Sequence, residues 1–588
     1  MFNISKHLRL PSLYRSDPAK QDAHFDENEY VSGLRKLMHG FDLMLNDDVS
    51  GTKETFNSDT VESCIGKAGN AFYHAILGLE PTAIEEAWNC LNTAEQRAEA
   101  RRKFMEIHDL RVGSYPGGYE YQLCVCDLSL MQSILGFVAG SLFDNVKSAY
   151  HLRKTFLSFT KMMEHVREVQ QKKETGEIQV TNSNAQFIDE FIESGISTGY
   201  GVLTFLISLL SPSVMRVLSF FSMHGERKDA VQLLWKATTY SNMQGAIALL
   251  CLYAFNALVQ SSASIVPLDY ADELRRCQDG IDNVRQRYSN GAIWAVMQGK
   301  LHYLRGDPEK ALELEKTRVD TSMEQIIAMK GFDTAMLFVG IRKFKEAAQA
   351  ILDLEDLNSW SHSFYRFFAG CCMLQHSREL KNNGGNIEES ENYLAKAIEY
   401  LKQSPTLVQK KKRRVLPVEM YLVRKVQKWE DRAAKLKVNL ADAMDIPPYI
   451  ELIYIFVTWC LNDPEHLLIL RSELERCQCT EDDGVALQEF LLAVVERHLK
   501  NYESSRARLI RVMNMNKDYL SQANRDFWIL PSAHYEMAAL EWDMHALEAE
   551  REVKQQLKKA QEYHNYDLEG RLSMLTQAAL QTVQSEKP

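Results

Sequence analysis

Six times along this chain a small or compact residue is followed four positions later by an aliphatic one, and three positions after that by another small or apolar one. The sets are Ala87, Leu91 and Ala94; Ala230, Leu234 and Ala237; Ala347, Ile351 and Leu354; Ser390, Leu394 and Ala397; Ser505, Leu509 and Val512; and Val553, Leu557 and Ala560. Steps of four and three keep all three residues on one helix face. The small residue admits a neighbouring helix, and the larger ones fill the groove beside it. Turn residues stand upstream of several sets: Gly225-Glu-Arg-Lys-Asp before Ala230, Gly306-Asp-Pro-Glu-Lys before Ala311, and Lys343-Phe-Lys-Glu before Ala347. The pattern predicts stacked helical hairpins, an architecture whose surfaces bind rather than catalyse.

The spacing is that of the second helix of a tetratricopeptide hairpin, in divergent form. Ala311 and Ala347 lie close to the roughly 34-residue period of that repeat, whereas Ala87 to Ala230 and Ser390 to Ser505 span far more than one unit. Ala311 lacks the following aliphatic residue because Glu315 stands there. A chain of 588 residues exceeds one core and needs several packing units or a continuous solenoid. With 14 prolines and 28 glycines, and few alternating β-branched stretches, strands are scarce and the fold class is all-α. The net charge of −11 argues against general affinity for nucleic acid or anionic lipid.

Two stretches without charge raise the question of a membrane: 194–215, with Val202-Leu-Thr-Phe-Leu-Ile-Ser-Leu-Leu210, and 237–268, with Ala246-Ile-Ala-Leu-Leu-Cys-Leu-Tyr-Ala-Phe255. Ser-Pro-Ser at 211–213 breaks the first after a short apolar run, and polar residues at 238–244 precede the second. Both are expected as apolar helices buried at the centre of the solenoid, with no transmembrane span and with peripheral membrane contact as the alternative. No export signal is expected from Met1-Phe-Asn-Ile-Ser-Lys-His-Leu-Arg-Leu.

Chemical motifs fail on context. Gly195-Ile-Ser197-Thr-Gly199 fits a nucleophile elbow, but Phe187-Ile-Asp-Glu-Phe-Ile-Glu193 before it reads as helix where the elbow needs a strand. Ser197 is therefore expected as a small residue at a helix start or crossing. Gly199-Tyr-Gly201 lacks the third glycine of a dinucleotide loop. His74, His108 and His224 stand apart, with no paired-histidine zinc motif. Cys124-Val-Cys126, Cys371-Cys372 and Cys477-Gln-Cys479 lack zinc-site spacing, and reduced, filler cysteines in a cytosolic protein are expected. The sequence thus yields no catalytic residue, no cofactor-binding residue, no metal ligand and no cofactor.

Polar segments set the expected layout: an N-terminal tail over 1–25, a helical block over 26–169, a polar linker over 170–186, a central repeat block over 187–407, a basic loop over 408–418, a C-terminal repeat block over 419–563 and a tail over 564–588. The basic loop contains Lys410-Lys-Lys-Arg-Arg414, a solvated edge or a contact for acidic partners or nuclear import. Asn382-Asn-Gly-Gly-Asn386 reads as a connection between two helices.

The run from Gly195 to Arg227, with Gly195-Ile-Ser-Thr-Gly-Tyr-Gly-Val at its start and Phe220-Phe-Ser-Met-His-Gly-Glu-Arg227 at its end, resembles the most distinctive block of the tetratricopeptide repeat protein 39 family. Its fungal members are called inclusion body clearance proteins. Tyr288-Ser-Asn-Gly-Ala-Ile-Trp-Ala295, Arg305-Gly-Asp-Pro308, Pro447-Pro-Tyr-Ile-Glu-Leu452 and Ile529-Leu-Pro-Ser-Ala-His-Tyr-Glu-Met-Ala538 also match, so the resemblance spans about 29–563. It implies an all-helical, non-enzymatic cytosolic protein; the stacked hairpins are expected to hold other proteins, with a lipid-binding or membrane-surface adaptor and an enzyme using an unrecognised pocket between helices as the alternatives. In the fungal branch it implies a part in clearing misfolded-protein inclusions, with lipid droplets and the outer mitochondrial membrane as associated places. The family offers no residue set to carry over.

Overall fold

In a computed structural model, the described residues are 25–138, 146–180, 182–208, 227–316, 321–358, 360–408 and 415–586. Among them all regular structure is helical. Consecutive helices pair as antiparallel hairpins: Val61–Gly78 with Pro81–Ile107, Ala292–Leu304 with Pro308–Lys316, Glu324–Gly340 with Phe344–Leu352, His362–Asn382 with Ile387–Gln403, Asp482–His498 with Tyr502–Met513, and Ile529–His545 with Glu550–Ala560. The small-aliphatic-small sets fall on the second helix of a hairpin or on the Arg227–Ala237 helix, except that Leu354 sits in the 3-10 turn Asp353–Asp356 that follows Phe344–Leu352. All their members are buried except Leu394, which packs half-buried against the same core.

One turn recurs. Gly306, Arg342, Gly384 and Lys500 each follow a first helix with φ of 84°, 59°, 69° and 63°. The next amide then bonds to the carbonyl five residues back, as Asp307 to His302, Lys343 to Phe338, Gly385 to Leu380 and Asn501 to Glu496. This left-handed closure satisfies the last carbonyls of the first helix and reverses the chain. Gly306 therefore needs its positive φ, which a β-branched residue tolerates poorly.

The two uncharged stretches form interior helices. Ser183–Ser208 is buried through most of 194–208, and Met243–Ala254 starts at Asn242, whose side chain accepts from the Gln244 and Gly245 amides. The residues 209–226, including the Ser-Pro-Ser break and His224, lie outside the described residues. A Cβ on Gly195 would sit 2.4 Å from Leu123, one on Gly199 2.5 Å from Phe159, and one on Gly201 2.9 Å from Leu234. Three neighbouring helices thus cross one helix at its glycines. Met243–Ala254 continues as a π-helix over Phe255–Val259 and a 3-10 turn over Gln260–Ser262. Among the described residues, Met243–Ser262 is the one helical stretch long and apolar enough to cross a membrane, and 67% of its apolar window is buried.

One hydrophobic core cluster runs from Tyr30 to Ile326 and a second from Ala328 to Leu540, and smaller clusters join Tyr303 and Ala311 to Leu337, and Ile265 to the C-terminal helices. The 170–186 linker is mostly helix: Val146–Glu174 ends inside it and Ser183–Ser208 begins there. Of the 408–418 loop, 409–414, and with them the basic run, lie outside the described residues, and a helix begins at Pro417. The 564–588 tail carries the helix Glu569–Ser585, which buries Leu572, Leu575, Ala578, Ala579 and Val583. That helix is docked far back along the chain. Arg227 donates from Nη1 to the Ala578 carbonyl at 2.9 Å, Gln581 donates to the Ser208 carbonyl, and the Leu268 amide donates to Glu586 at 3.2 Å. Ile265 packs into the same C-terminal cluster, beside a Ser264 amide bonded to Tyr535.

Candidate functional site

Three of the segments that make this sequence distinctive, at 288–295, 447–452 and 529–538, are drawn inward as polar hubs between helices. In the first hub, Tyr288 donates to Asp42 at 2.6 Å, the Asn290 amide to Asn46 at 3.0 Å, the Ala292 amide to Asp47 at 3.2 Å, and the Trp294 indole to the Leu45 carbonyl at 3.1 Å. A Cβ on Gly291 would lie 2.3 Å from that same carbonyl oxygen. The motif around 288–295 therefore clamps the end of the first helix, Glu27–Leu45, some 245 residues earlier.

The second hub gathers the Pro447-Pro-Tyr-Ile-Glu segment. Tyr449 donates to Glu473 at 2.8 Å and accepts from Arg342 at 3.0 Å. Glu451 accepts from Tyr421 at 2.9 Å and pairs with Lys425 at 2.8 Å. Lys425, Lys428 and Arg424 converge on Asp526 at 3.1, 2.6 and 2.8 Å, and Lys428 also reaches Asp483 at 2.6 Å. Burial alone would raise the Asp526 carboxyl, but the three cations hold it well below its ordinary value. Beside them, Lys428, Trp429, Arg432 and Asp445 enclose a cavity of about 20 Å³, room for a single water. Each of these carboxylates faces a cation, so the cluster fixes helices and leaves no free base.

The third hub uses Ile529–His545. Glu536 accepts from Ser264 at 2.9 Å and Tyr454 at 3.2 Å, and pairs with Arg497 at 3.1 Å, which also reaches Asp543 at 2.6 Å. Composition gave no hint of these hubs. The signal that was present is Arg424-Lys425-x-x-Lys428 on one helix, a density of cations that a partly buried helix carries only when acids come to meet it.

Residues with catalytic promise do not assemble. Ser197 is buried in the middle of Ser183–Ser208, with no strand before it. His74 is half-buried, and burial lowers its pKa despite a bond to Gln325. His108 closes the Pro81–Ile107 helix and packs on Phe104. Cys460 and His466 come within 3.9 Å, the pairing that could make a nucleophile. Burial, however, pushes the thiol up and the imidazole down to about 4, so both stay neutral, the opposite of a thiolate-imidazolium pair. Cys124, Cys126, Cys371 and Cys372 are buried and unbridged. No three His, Cys, Asp or Glu side chains among the described residues are grouped to hold a metal.

An open groove of about 450 Å³ runs along the Pro417–Leu436 helix, lined by Val408, Val415, Glu419, Met420, Val423, Arg424, Gln427 and Asn524. Met420 is 59% exposed there. Its walls are mostly apolar, and its two ionisable groups are engaged, Glu419 with Ser361 and the Leu416 amide and Arg424 with Asp526 and Asp567, so the groove has the character to receive an apolar side chain or helix edge.

Known proteins resemble this chain along its whole length. An uncharacterized protein of Schizosaccharomyces pombe, C11E3.14, is 60% identical over 588 residues, covering 100% of both chains. The inclusion body clearance protein iml2 of Aspergillus niger is 25% identical, covering 97% of each. The IML2-like protein YKR018C of Saccharomyces cerevisiae is 28% identical over 440 residues, covering 67% of this chain and 60% of its own. The family model described as Iml2/Tetratricopeptide repeat protein 39 matches residues 38–499, and with that span, those relatives and the hairpins above, the chain belongs to the Iml2/tetratricopeptide repeat protein 39 family.

Proposed function

We propose that this chain is a non-catalytic helical-repeat scaffold that binds other proteins and acts in clearing misfolded-protein inclusions. The observation that carries the reading is end-to-end similarity to proteins named for inclusion body clearance. The closed polar hubs support it, because the charges buried within them are spent on one another and hold the helices in place. The docking place is the groove of Val408, Val415, Met420 and Val423, and its occupant is a partner segment with acidic residues beside apolar ones. Between the two rim valines the sequence runs through five consecutive cations at 410–414, which favours such a segment. We place this activity in the cytoplasm.

The test is complementation in cells lacking the protein, scored by loss of fluorescent inclusions after heat stress. Met420→Asp with Val423→Asp should fail to complement while abundance and melting temperature stay unchanged. If that variant clears inclusions as well as wild type, the groove is not the docking place. If Ser197→Ala alone abolishes clearance in a folded protein, the site is chemical. A second reading, contact with a lipid surface, is favoured by Leu258 and Leu268, which stand exposed next to the apolar Met243–Ser262 stretch. Flotation with lipid droplets that is lost in Leu258→Glu with Leu268→Glu would support it.

A further inference from the structure

Among the described residues three Lys or Arg side chains are buried outright: Lys425, Arg497 and Arg227. Lys425 meets two carboxylates, Glu451 and Asp526, and Arg497 meets Glu536 and Asp543. Arg227, 7% exposed, makes no ion pair with any described residue. Its Nη1 donates to the Ala578 carbonyl, and its guanidinium lies 5.2 Å from the Phe255 ring centroid. Nε and Nη2 have no hydrogen-bond partner among the described residues.

Those two atoms form one edge of the guanidinium, with parallel N–H bonds spaced to grip the two oxygens of a single carboxylate or phosphate. This protein shows the same edge filled elsewhere. Arg366 holds Glu355 through Nε and Nη2 at 2.6 Å each, and Arg102 holds Glu99 the same way at 2.8 and 3.1 Å. A second orphan stands close by along the chain. Gln260 is 0% exposed, its amide Nε2 and Oε1 are both unpartnered, and its backbone N–H bonds to the Phe255 carbonyl, one π-turn below. An interior cation without a countercharge is costly, and orphaned amides beside a π-turn are uncommon outside binding sites. Burial depresses the Arg227 guanidinium only to about 10, so it remains charged at neutral pH.

We infer that the Arg227 edge, where Arg227–Ala237, the Phe255–Val259 π-turn and Glu569–Ser585 meet, is a binding site for an oxyanion, a carboxylate or a phosphate, brought by a ligand from outside the chain. The site lies in the interior, apart from the groove at Val408 and Met420, and does not depend on the function proposed above. Scarcity of water there strengthens a charge-assisted pair.

The experiment measures melting temperature and calorimetric binding on the full chain with sodium acetate, sodium hexanoate or inorganic phosphate, each against chloride at matched ionic strength. Wild type should be stabilised by at least one oxyanion over chloride. Arg227→Met, which keeps the stem and removes the fork, should lose that gain, with binding weakened about 10- to 100-fold. Arg227→Lys, which keeps the charge without the paired donors, should weaken it about 10-fold and serves if the methionine variant does not fold. A hexanoate effect above that of acetate would show that the anion arrives on an apolar chain; equal effects, or a larger one from phosphate, would show a small or tetrahedral oxyanion. Wild type without any oxyanion-specific gain, or both variants responding as wild type does, overturns the proposal.

Discussion

The two cores of this protein differ in how they hold their most buried carboxyl clusters. Between Tyr30 and Ile326, Glu120 and Asp127 lie inside without a cation, burial raising Glu120 to about 7 and pushing Asp127 well above its ordinary value, while Asp189 keeps Lys173 at 2.7 Å. Between Ala328 and Leu540, the largest cluster enters as neutralised groups, with Lys425, Lys428 and Arg424 around Asp526 and Arg342 between Glu379 and Glu473. The same hairpin scaffold therefore tolerates buried polarity by holding a proton at Glu120 and Asp127 and by pairing around Asp526. The first solution makes stability depend on pH, and the second makes it depend on every partner being present.

The contrast breaks most visibly at Asp526. Asp526→Asn keeps the shape and strands three cations, so urea unfolding should show a loss of about 3–5 kcal/mol. A loss near zero would mean that the second core relaxes as the first does. The next effect is at Glu120. Its folded pKa of about 7 exceeds its ordinary 4.5, so the folded state holds this proton more tightly, and stability is full below about pH 4.5 and falls as pH rises through 7. Glu120→Gln should flatten that limb and exceed wild type at pH 8 by on the order of 3 kcal/mol. His466 in the second core has the reverse sign: burial lowers it to about 4, so stability is lost as pH falls from 6.5 towards 4. A urea midpoint measured from pH 4 to 8 in Glu120→Gln and in His466→Gln separates the two limbs.

Two smaller effects sharpen the scaffold that the cores share. Ala230 is buried on the helix that also crosses Gly201, and Ala230→Leu should cost about 1–3 kcal/mol by overpacking, read as a lower melting temperature. Lys500 is exposed and holds the left-handed turn that glycine holds at 306 and 384. Lys500→Gly should relieve strain and gain less than about 1 kcal/mol, the unfolded chain's added freedom taking back part of it.

The hairpins were legible because local spacing produces them: Ala347, Ile351 and Leu354 announce their face whatever lies opposite. Ser197 was legible as a small residue at a crossing for the same reason. The hubs were not legible, since Asp526 meets Lys425 only after a hundred residues of intervening chain have folded, and nothing local marks that pairing. The helix in the expected tail was a different failure. Leu572, Leu575, Ala579 and Val583 carry the helical period in plain view, but Gln577, Gln581 and Gln584 stand between them, and nothing local shows that the segment has a surface to dock on.

The docking of Glu569–Ser585 onto residues 208, 227 and 268 changes what kind of mechanical object this repeat array is. An open array of hairpins behaves as a spring, each unit free to open with only its neighbours taking notice. Here the last turn of the spring is latched to its middle. Load applied at the C-terminal end is shared at once with the interior of the first core, so the array should yield in few large steps, not unit by unit.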